Sequence, residues 1–316
     1  GSGQEIPQVH TEQTSLQIDS TLQNKLMHHL ETIRMWEGGN KDSLERLLLN
    51  ALDISKLIHN HDATSEILFF LGLFSKKQGL YEKARDYYIE AIPYTFNAQV
   101  LTDRLPRIYS NLGDINMSLG NYPLAASYFY AALNLLPQPS DDNEIAMIVY
   151  SGIAGIHMRH GQYEKARRYI HQSLAIARHL DHRTLPKILG NTANMYSLSG
   201  NRDSAAILQQ EGLRIARQKN DQVSEQGLLI SVGELHFQNG DYEQALPYFL
   251  QAIAIDNQNA SGNTHMNAYL QYITGHTYNH LQQYSKALPF LRRSLALSES
   301  SNLKDYVHLL HAALAG

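Results

Sequence analysis

Histidine supplies most of the side chains in this sequence that could do chemistry. Sixteen are present, and two pairs have helical spacing: His157 with His160, and His276 with His280. Residues three or four apart lie on one face of a helix, so either pair could contact one metal ion. A protein zinc site needs at least three such ligands, and no third ligand is evident near either pair. We therefore expect no metal site.

No familiar catalytic motif accompanies these histidines. The sequence lacks G-x-x-x-x-G-K-[ST], G-x-G-x-x-G, G-x-S-x-G and H-E-x-x-H. It has no cysteine, which excludes disulfides, iron–sulfur clusters, thiolate zinc sites and cysteine nucleophiles. The chain is therefore expected to bind no cofactor and to have no catalytic activity.

The composition limits the classes of partner that the chain is expected to bind. Among 316 residues, 26 Lys and Arg stand against 30 Asp and Glu, giving a net charge of −4. This balance argues against direct nucleic-acid binding, which relies on a basic face that neutralises phosphates. No apolar run approaches the length of a membrane span, so none is expected in this fragment. The sequence does not decide whether the protein is located in the cytoplasm or in the periplasm.

A repeated pattern runs through most of the chain with a period of about 40 residues. A turn residue marks each copy: Gly39, Gly79, Gly120, Gly161, Gly200, Gly240 and Gln282. A mostly small residue lies seven positions before each turn: Thr32, Gly72, Gly113, Ala154, Ala193, Gly233 and Gly275. A small residue also lies twelve positions after it: Ala51, Ala91, Ala132, Ser173, Gly212, Ala252 and Ser294.

The spacing within each copy predicts a pair of helices. Around each small residue, apolar side chains recur at intervals of three and four, as at Leu124, Tyr128, Phe129 and Leu133. Small residues let two helices approach closely, and one hairpin alone cannot bury its apolar face. We predict an all-α fold: a right-handed superhelical solenoid of about seven antiparallel helix hairpins, plus a C-terminal helix.

The best-preserved copies also resemble a known family, the tetratricopeptide repeat. The stretch "NLGDINMSLGNYPLAASYFYAALNLLP" follows that family's L-G, Y, G-x-Y, A, F, A, P order. The matching residues are Leu112, Gly113, Asn116 (in the Tyr position), Gly120, Tyr122, Ala125, Phe129, Ala132 and Pro137. Periods near 40 are similar to those of kinesin light chains and of bacterial regulators that carry arrays beside kinase or DNA-binding modules. The resemblance implies a non-catalytic scaffold that binds a protein or peptide.

Three segments are expected along the chain. Residues 1–20 are polar and aperiodic and are interpreted as a flexible tail that opens with Gly1-Ser2-Gly3, typical of a cloning remnant. Residues 21–302 form the array. Residues 303–316 begin an eighth first helix, which is either a cap or the start of a longer array.

Helix geometry also predicts a binding face. Positions six, three and two before the small residue of a first helix, and one after it, form another stripe of that helix, and in such arrays this stripe lines the concave surface. Its amide, charged and aromatic side chains could bind a peptide backbone or a carboxylate. The candidate partner-binding residues are Arg107, Ser110, Asn111, Asp114, Lys187, Asn191, Asn194, Ile230, Glu234, Tyr269, Tyr272 and His276. The alternative is that these polar residues form only a solvated inner face.

The sequence leaves two classes of function open. The first is a peptide- or protein-binding scaffold, serving as the sensor or interaction segment of a larger, bacterial signalling or regulatory protein. The alternative is a small-molecule-binding or enzyme-regulating helical domain. A homodimer through the terminal repeats is a further arrangement left open, and the identity of the partner is not encoded in any motif.

Overall fold

The computed structural model describes residues 8–36, 40–96, 104–137, 143–258 and 264–300, and within these ranges all regular secondary structure is helical. Fourteen helices follow one another as seven hairpins. The predicted all-α repeat fold with about seven hairpins is therefore confirmed. The chain divides into two compact units, Gly1–Ser140 and Asp141–Gly316, and the expected final helix at 303–316 lies outside the described residues.

Unit 1 contains three hairpins whose apolar faces share one core. Its helices are α1 (Gln8–Arg34), α2 (Lys41–Leu57), α3 (His61–Lys77), α4 (Tyr81–Thr95), α5 (Arg104–Ser118) and α6 (Tyr122–Leu135). Leu48, Ile67, Tyr88 and Leu112 from successive helices are all within 1% of complete burial in this unit.

Unit 2 contains the other four hairpins. Its helices are α7 (Glu144–Arg159), α8 (Tyr163–His179), α9 (Leu185–Leu198), α10 (Arg202–Gln218), α11 (Gln222–Gln238), α12 (Tyr242–Gln258), α13 (Thr264–His280) and α14 (Tyr284–Ser300). None of the described helices in either unit combines the length and apolar character needed to cross a membrane.

Each hairpin from α3 to α14 is closed by a small residue on its first helix and a partner sixteen positions later on its second helix. At Gly113, a Cβ atom would lie 2.7 Å from Cε1 of the Phe129 ring. That distance is shorter than real Cβ contacts, so the ring can lie there only because Gly113 has no side chain. The same close approach joins Gly72 with Tyr88, Gly233 with Phe249, and Gly275 with Leu291.

The other two hairpins use a different pair of sizes. Ala154 is paired with Ile170, and Ala193 with Gln209, and all four side chains are at most 2% exposed. A methyl group on the first helix is thus matched by a non-aromatic side chain on the second. All three aromatic partners face a glycine, so in those hairpins the two residues compensate each other in volume, as close packing requires.

Every member of the second small row is buried, and two of them add a hydrogen bond. Ser173 Oγ donates to the Met147 carbonyl at 2.8 Å, and Ser294 Oγ donates to the Ala268 carbonyl at 2.7 Å. Both serines are fully buried. In these two hairpins the hydroxyl is satisfied by the first helix, so serine replaces alanine without leaving a buried donor unpaired.

The turns within the hairpins need a left-handed backbone residue. Gly120 has φ of 77°, in the region that glycine enters at little cost. Gln282 adopts φ of 59° at the equivalent place in the last hairpin. The turn residue of the first hairpin, Gly39, lies outside the described residues.

The N-terminal boundary predicted from the sequence needs correction. Residues 8–20 belong to α1 in the structure and not to a flexible tail. The segment from Gln8 to Arg34 contains neither glycine nor proline, so nothing in its backbone interrupts a helix. Leu26, Leu30 and Ile33 are buried against unit 1, and they anchor the helix from its C-terminal half.

We expect the substitution Gly113→Ala to destabilise the protein. The added Cβ would force the Phe129 ring to move, and overpacking of this kind costs about 1–3 kcal/mol, against a gain of about 1 kcal/mol in helix propensity. Adding Phe129→Ile reproduces the Ala154–Ile170 pairing, so the double variant should be more stable than the two single effects predict. Urea unfolding of the four proteins gives the coupling free energy.

A matched control is Gly227→Ala on α11, where a Cβ would have no heavy atom within 4 Å. This variant should gain about 0.5–1 kcal/mol because alanine is the better helix former. Additive effects of the Gly113 and Phe129 substitutions would contradict the proposed size compensation.

We expect Tyr88→Phe to stabilise unit 1. Its hydroxyl is fully buried and has no hydrogen-bond partner among the described residues, whereas Phe129 and Phe249 occupy the same position in other hairpins. An unsatisfied buried hydroxyl costs about 1–3 kcal/mol, so its removal should raise the thermal midpoint. Tyr196→Phe is the control, because the Tyr196 hydroxyl lies 2.9 Å from His171 Nε2. An equal or lower midpoint for Tyr88→Phe would show that its hydroxyl is satisfied in solution.

Candidate functional site

A cavity of about 360 Å³ opens in unit 2 on the faces of the first helices α9 and α11. The side of α9 contributes four residues: Lys187, Gly190, Asn191 and Asn194. The side of α11 contributes seven: Val223, Ser224, Gly227, Leu228, Ile230, Ser231 and Glu234. A volume of this size lies in the range of ligand-binding pockets in proteins.

The α9 wall carries polar groups that the protein itself leaves largely unused. Thr192 and Ala193 are completely buried and fix the opposite face of α9 in the core. Lys187 and Asn194 are exposed and make no hydrogen bond or ion pair with the described residues. Asn191 uses one amide proton, since its Nδ2 donates to Ser151 Oγ on α7 at 3.3 Å. This wall therefore offers one cation and two carboxamides.

The α11 wall is open because it lacks one side chain. Gly227 stands at the position where every other first helix carries a long side chain: Leu26, Glu66, Arg107, Ile148, Lys187 and Tyr269. A Cβ at Gly227 would meet nothing within 4 Å, so the space in front of it is empty. Gly190 has a different role, since a Cβ there would lie 3.2 Å from Leu228 Cδ2 where the two helices touch.

A buried amide supports the α11 wall from behind. Gln209 of α10 is 2% exposed, and its Nε2 donates to Ser231 Oγ at 2.8 Å and to the Ser231 carbonyl at 3.2 Å. Because the Ser231 oxygen accepts this bond, its own proton remains available to the cavity. Gln209 Oε1 is buried and has no hydrogen-bond partner in the part of the chain that the structure describes. Other hairpins have Phe129 or Phe249 at this position. In the hairpin of α9 and α10, hydrogen bonds from Gln209 therefore take the place of ring packing.

Glu234 closes one end of the cavity. The Tyr269 hydroxyl on α13 donates to Glu234 Oε1. Burial raises the pKa of the Glu234 carboxyl above its ordinary value, and the hydrogen bond from Tyr269 offsets part of that rise. The second carboxylate oxygen has no partner among the described residues.

Tyr272 and His276 lie beyond this carboxylate in a cluster of rings. The His276 ring lies 5.5 Å from Tyr272, 5.6 Å from Phe237 and 4.7 Å from His280 between ring centroids. The His280 ring also stacks on Tyr242 at 4.2 Å. Burial lowers the pKa of His276, and the neighbouring His280 lowers it further. His276 and His280, for which the sequence offered no third metal ligand, are thus engaged in ring contacts. No group of three or more metal-ligating side chains occurs in the described ranges.

The predicted residues of unit 1 are held differently. Lys76 Nζ on α3 donates to Asn111 Oδ1 at 2.9 Å and to Asp114 Oδ2 at 2.8 Å. Asn111 Nδ2 donates in turn to the Arg107 carbonyl at 3.0 Å. Ser110 is only 4% exposed, so its side chain offers almost no surface to a partner. The polar stripe of α5 is largely satisfied within the unit.

The structure thus brings five of the predicted residues around one cavity: Lys187, Asn191, Asn194, Ile230 and Glu234. Ile230 is 6% exposed and contributes apolar floor, not an accessible side chain. Sequence reasoning missed Leu228 and, nearer the start of α11, the pair Val223 and Ser224. Both extend the α11 stripe by one further turn, at ten and nine positions before Gly233, so a longer stripe would have found them.

Two further histidines behave as packing residues. The sequence places His157 and His236 where other copies carry Tyr196 and Tyr278, a position expected to face the core. The His157 ring stacks on Tyr169, and the His236 ring stacks on Tyr248, each at 5.6 Å. In each of these hairpins the histidine of the first helix therefore packs against a tyrosine of the second helix.

Family models of the tetratricopeptide repeat match most of the chain. One matches residues 104–178, 145–218 and 226–300, and another matches residues 65–93. The chain belongs to the tetratricopeptide repeat family. The residues quoted for the resemblance, from Leu112 to Pro137, lie within the first of these matches.

Individual relatives are more distant. The human and mouse cell division cycle protein 16 homologs are 26% identical over 132 residues, which is 41% of this chain and only 20% of theirs. A Rap protein complexed with competence and sporulation factor superposes with a TM-score of 0.67 at 18% identity, covering 92% of this chain and 80% of that one. A signal transduction ATPase with a tetratricopeptide repeat sensor, from Pyrococcus horikoshii, gives 0.60 at 18% identity, covering 91% and 42%. These likenesses establish the fold.

We expect Glu234→Gln to stabilise the protein at neutral pH and to lose that advantage in acid. A carboxyl with a raised folded-state pKa binds its proton more tightly in the folded state, so wild-type stability falls as pH rises from its ordinary pKa through the raised value. Glutamine keeps the acceptor for Tyr269 without the charge. The difference in thermal midpoint between variant and wild type should be near zero at pH 4 and positive at pH 8.

The exposed acid Glu243 on α12 provides the control, because Glu243→Gln removes the same charge from solvent. A midpoint difference for Glu234→Gln that is independent of pH would contradict the effect of burial on this carboxyl.

Proposed function

We propose that this tetratricopeptide repeat chain is a non-catalytic scaffold that binds an extended peptide segment of a partner in the cavity of unit 2. The observation that carries this proposal is the set of unused polar groups on α9, which faces a wall opened by Gly227. Such a surface combines hydrogen-bonding groups with an apolar floor, as peptide-binding grooves do.

The carboxamides support a peptide over other ligands. An asparagine side chain can donate to a backbone carbonyl and accept from a backbone N–H, which is the pairing that an extended chain needs. Asn191 and Asn194 supply two such groups on one helix face, three residues apart. An extended segment would satisfy both, whereas water satisfies them in the free protein.

The apolar floor supplies the non-polar share of the contact. Leu228 and Ile230 line the cavity while their side chains are held in the core, at 3% and 6% exposure. Val223 stands at the rim with 79% of its surface exposed. A partner side chain lying over Gly227 would contact this floor and bury Val223, which stabilises the complex through the loss of apolar surface from water.

We further propose that the array is the sensor or interaction segment of a larger regulatory protein. One structural neighbour is described as an ATPase with a tetratricopeptide repeat sensor, and another was solved in complex with a competence and sporulation factor. The relatives related by sequence are longer than the matched segment, which spans 20% of their length. Binding, not turnover, is the proposed role, because the two ionisable side chains of the cavity, Lys187 and Glu234, have no nucleophile–base partner there.

The proposal predicts that Gly227→Leu abolishes binding without unfolding the protein. The leucine would project into space that is empty in the structure, so it should fill the cavity with no clash. The probe is a peptide recovered from an unbiased decapeptide library displayed on phage, and its dissociation constant is measured by fluorescence anisotropy. We expect at least a tenfold loss of affinity, with an unchanged helical circular dichroism spectrum.

Two control variants accompany this test. Gly227→Ala should weaken binding less than leucine does, and Ala206→Leu on the exposed face of α10 should leave binding unchanged. Retention of full affinity by Gly227→Leu would place the binding site elsewhere on the chain. A small molecule that protects the wild type but not Gly227→Leu in a thermal shift assay, with no peptide recovered, would favour the alternative class of ligand.

A further inference from the structure

We propose that the cavity of unit 2 selects peptide segments that carry one acidic and one basic side chain, with Lys187 binding the acid and Glu234 binding the base. This inference rests on the proposed peptide-binding function and adds the chemistry of the ligand. The two residues are the only charged side chains among those that line the cavity. They carry opposite charges, so the site is neutral as a whole but polar from end to end.

Lys187 is a cation with no partner in the described ranges. Its amine makes no hydrogen bond or ion pair with the described residues, although it lies on the same helix face as Asn191. The contrast with Lys76 in unit 1 is informative, because Lys76 is tied to Asn111 and Asp114. The amine of Lys187 is therefore available to a ligand carboxylate, which it would bind as a point charge.

Glu234 is a carboxylate that lacks a cation. It is partly buried, one oxygen accepts from Tyr269, and the other oxygen has no partner among the described residues. A carboxylate withdrawn from water is stabilised by a nearby positive charge. A lysine or arginine side chain of a ligand would supply that charge and would return the raised pKa of Glu234 toward its ordinary value.

Lys187 and Glu234 form no ion pair with each other among the described residues. Lys187 lies six positions before Ala193, and Glu234 lies one position after Gly233, the equivalent small residue of the next first helix. Seven positions along a helix correspond to about 10 Å, and neighbouring helices lie about 8–10 Å apart, so the two Cα atoms are separated by about 13–14 Å. An extended peptide advances by about 3.3 Å per residue and alternates its side chains between two faces, so an acid and a base four residues apart match this separation from one face. Asn191 and Asn194 are placed to bind the backbone between them.

The experiment uses the same unbiased decapeptide library with the whole chain as bait. We expect recovered peptides to be enriched in an acidic and a basic residue four positions apart. The affinity of one such peptide, capped at both ends, is then compared with that of its acid-to-glutamine and base-to-glutamine versions. Each replacement should weaken binding to the wild type by about tenfold.

Protein variants assign each charge to its partner. Lys187→Met should lose about tenfold for the parent peptide but show no further loss when the peptide acid is replaced. Glu234→Gln should behave in the same way toward the peptide base. Arg183→Met is the matched control, since Arg183 is an exposed cation of unit 2 that does not line the cavity. It should change no affinity.

The outcomes separate this inference from the proposed function. If peptides bind, Gly227→Leu blocks them, and replacement of either peptide charge changes the affinity less than twofold, then the site binds peptides without charge selection and the inference is wrong. If no peptide binds, or if Gly227→Leu has no effect, the proposed function fails and the inference fails with it.

Discussion

The fit between a small residue on one helix and a large side chain sixteen positions later controls the architecture of this protein. Where the first helix has Gly113, the second can place the whole Phe129 ring against its backbone. Where it has Ala154, the second carries Ile170. Each helix from α3 to α14 is fixed by this contact, so the helix faces outside the contact are also fixed. The candidate site lies on such faces of α9 and α11.

The departure from the repeat is what makes unit 2 distinctive. The hairpin of α9 and α10 has Gln209 where three other hairpins have an aromatic ring, and Gln209 donates to Ser231 at the back of the cavity. Helix α11 has Gly227 where the other first helices have a long side chain, and this opens the front of the cavity. Both changes weaken the ordinary packing of the repeat, and both border the same space. Residues that look degenerate when judged by the repeat pattern are therefore the ones that shape the cavity.

The sequence predicted the parts of the structure that depend on spacing. The small rows, the turns and the stripe through Lys187, Asn191 and Glu234 follow from helical periodicity, which is visible in the letters. Three features could not be read in this way. The cavity depends on the side chain that Gly227 lacks. The burial of Ser110 depends on packing in three dimensions. The Tyr88 hydroxyl lacks a hydrogen-bond partner among the described residues because of the groups that surround it in the fold. Helix α1 extends further than predicted because polarity alone does not prevent a helix from continuing.

The pairs that close the hairpins lie within one copy of the repeat, as do the bonds from Ser173 to Met147 and from Ser294 to Ala268. This has a genetic consequence. Unequal recombination that duplicates or deletes one whole copy carries both partners of a pair together, so it changes the length of the array without creating a mismatched pair. A crossover inside a hairpin would instead join a glycine to the wrong partner size. Gene variation in such a protein should therefore proceed in whole copies, while single-residue change gathers on the faces that no partner constrains.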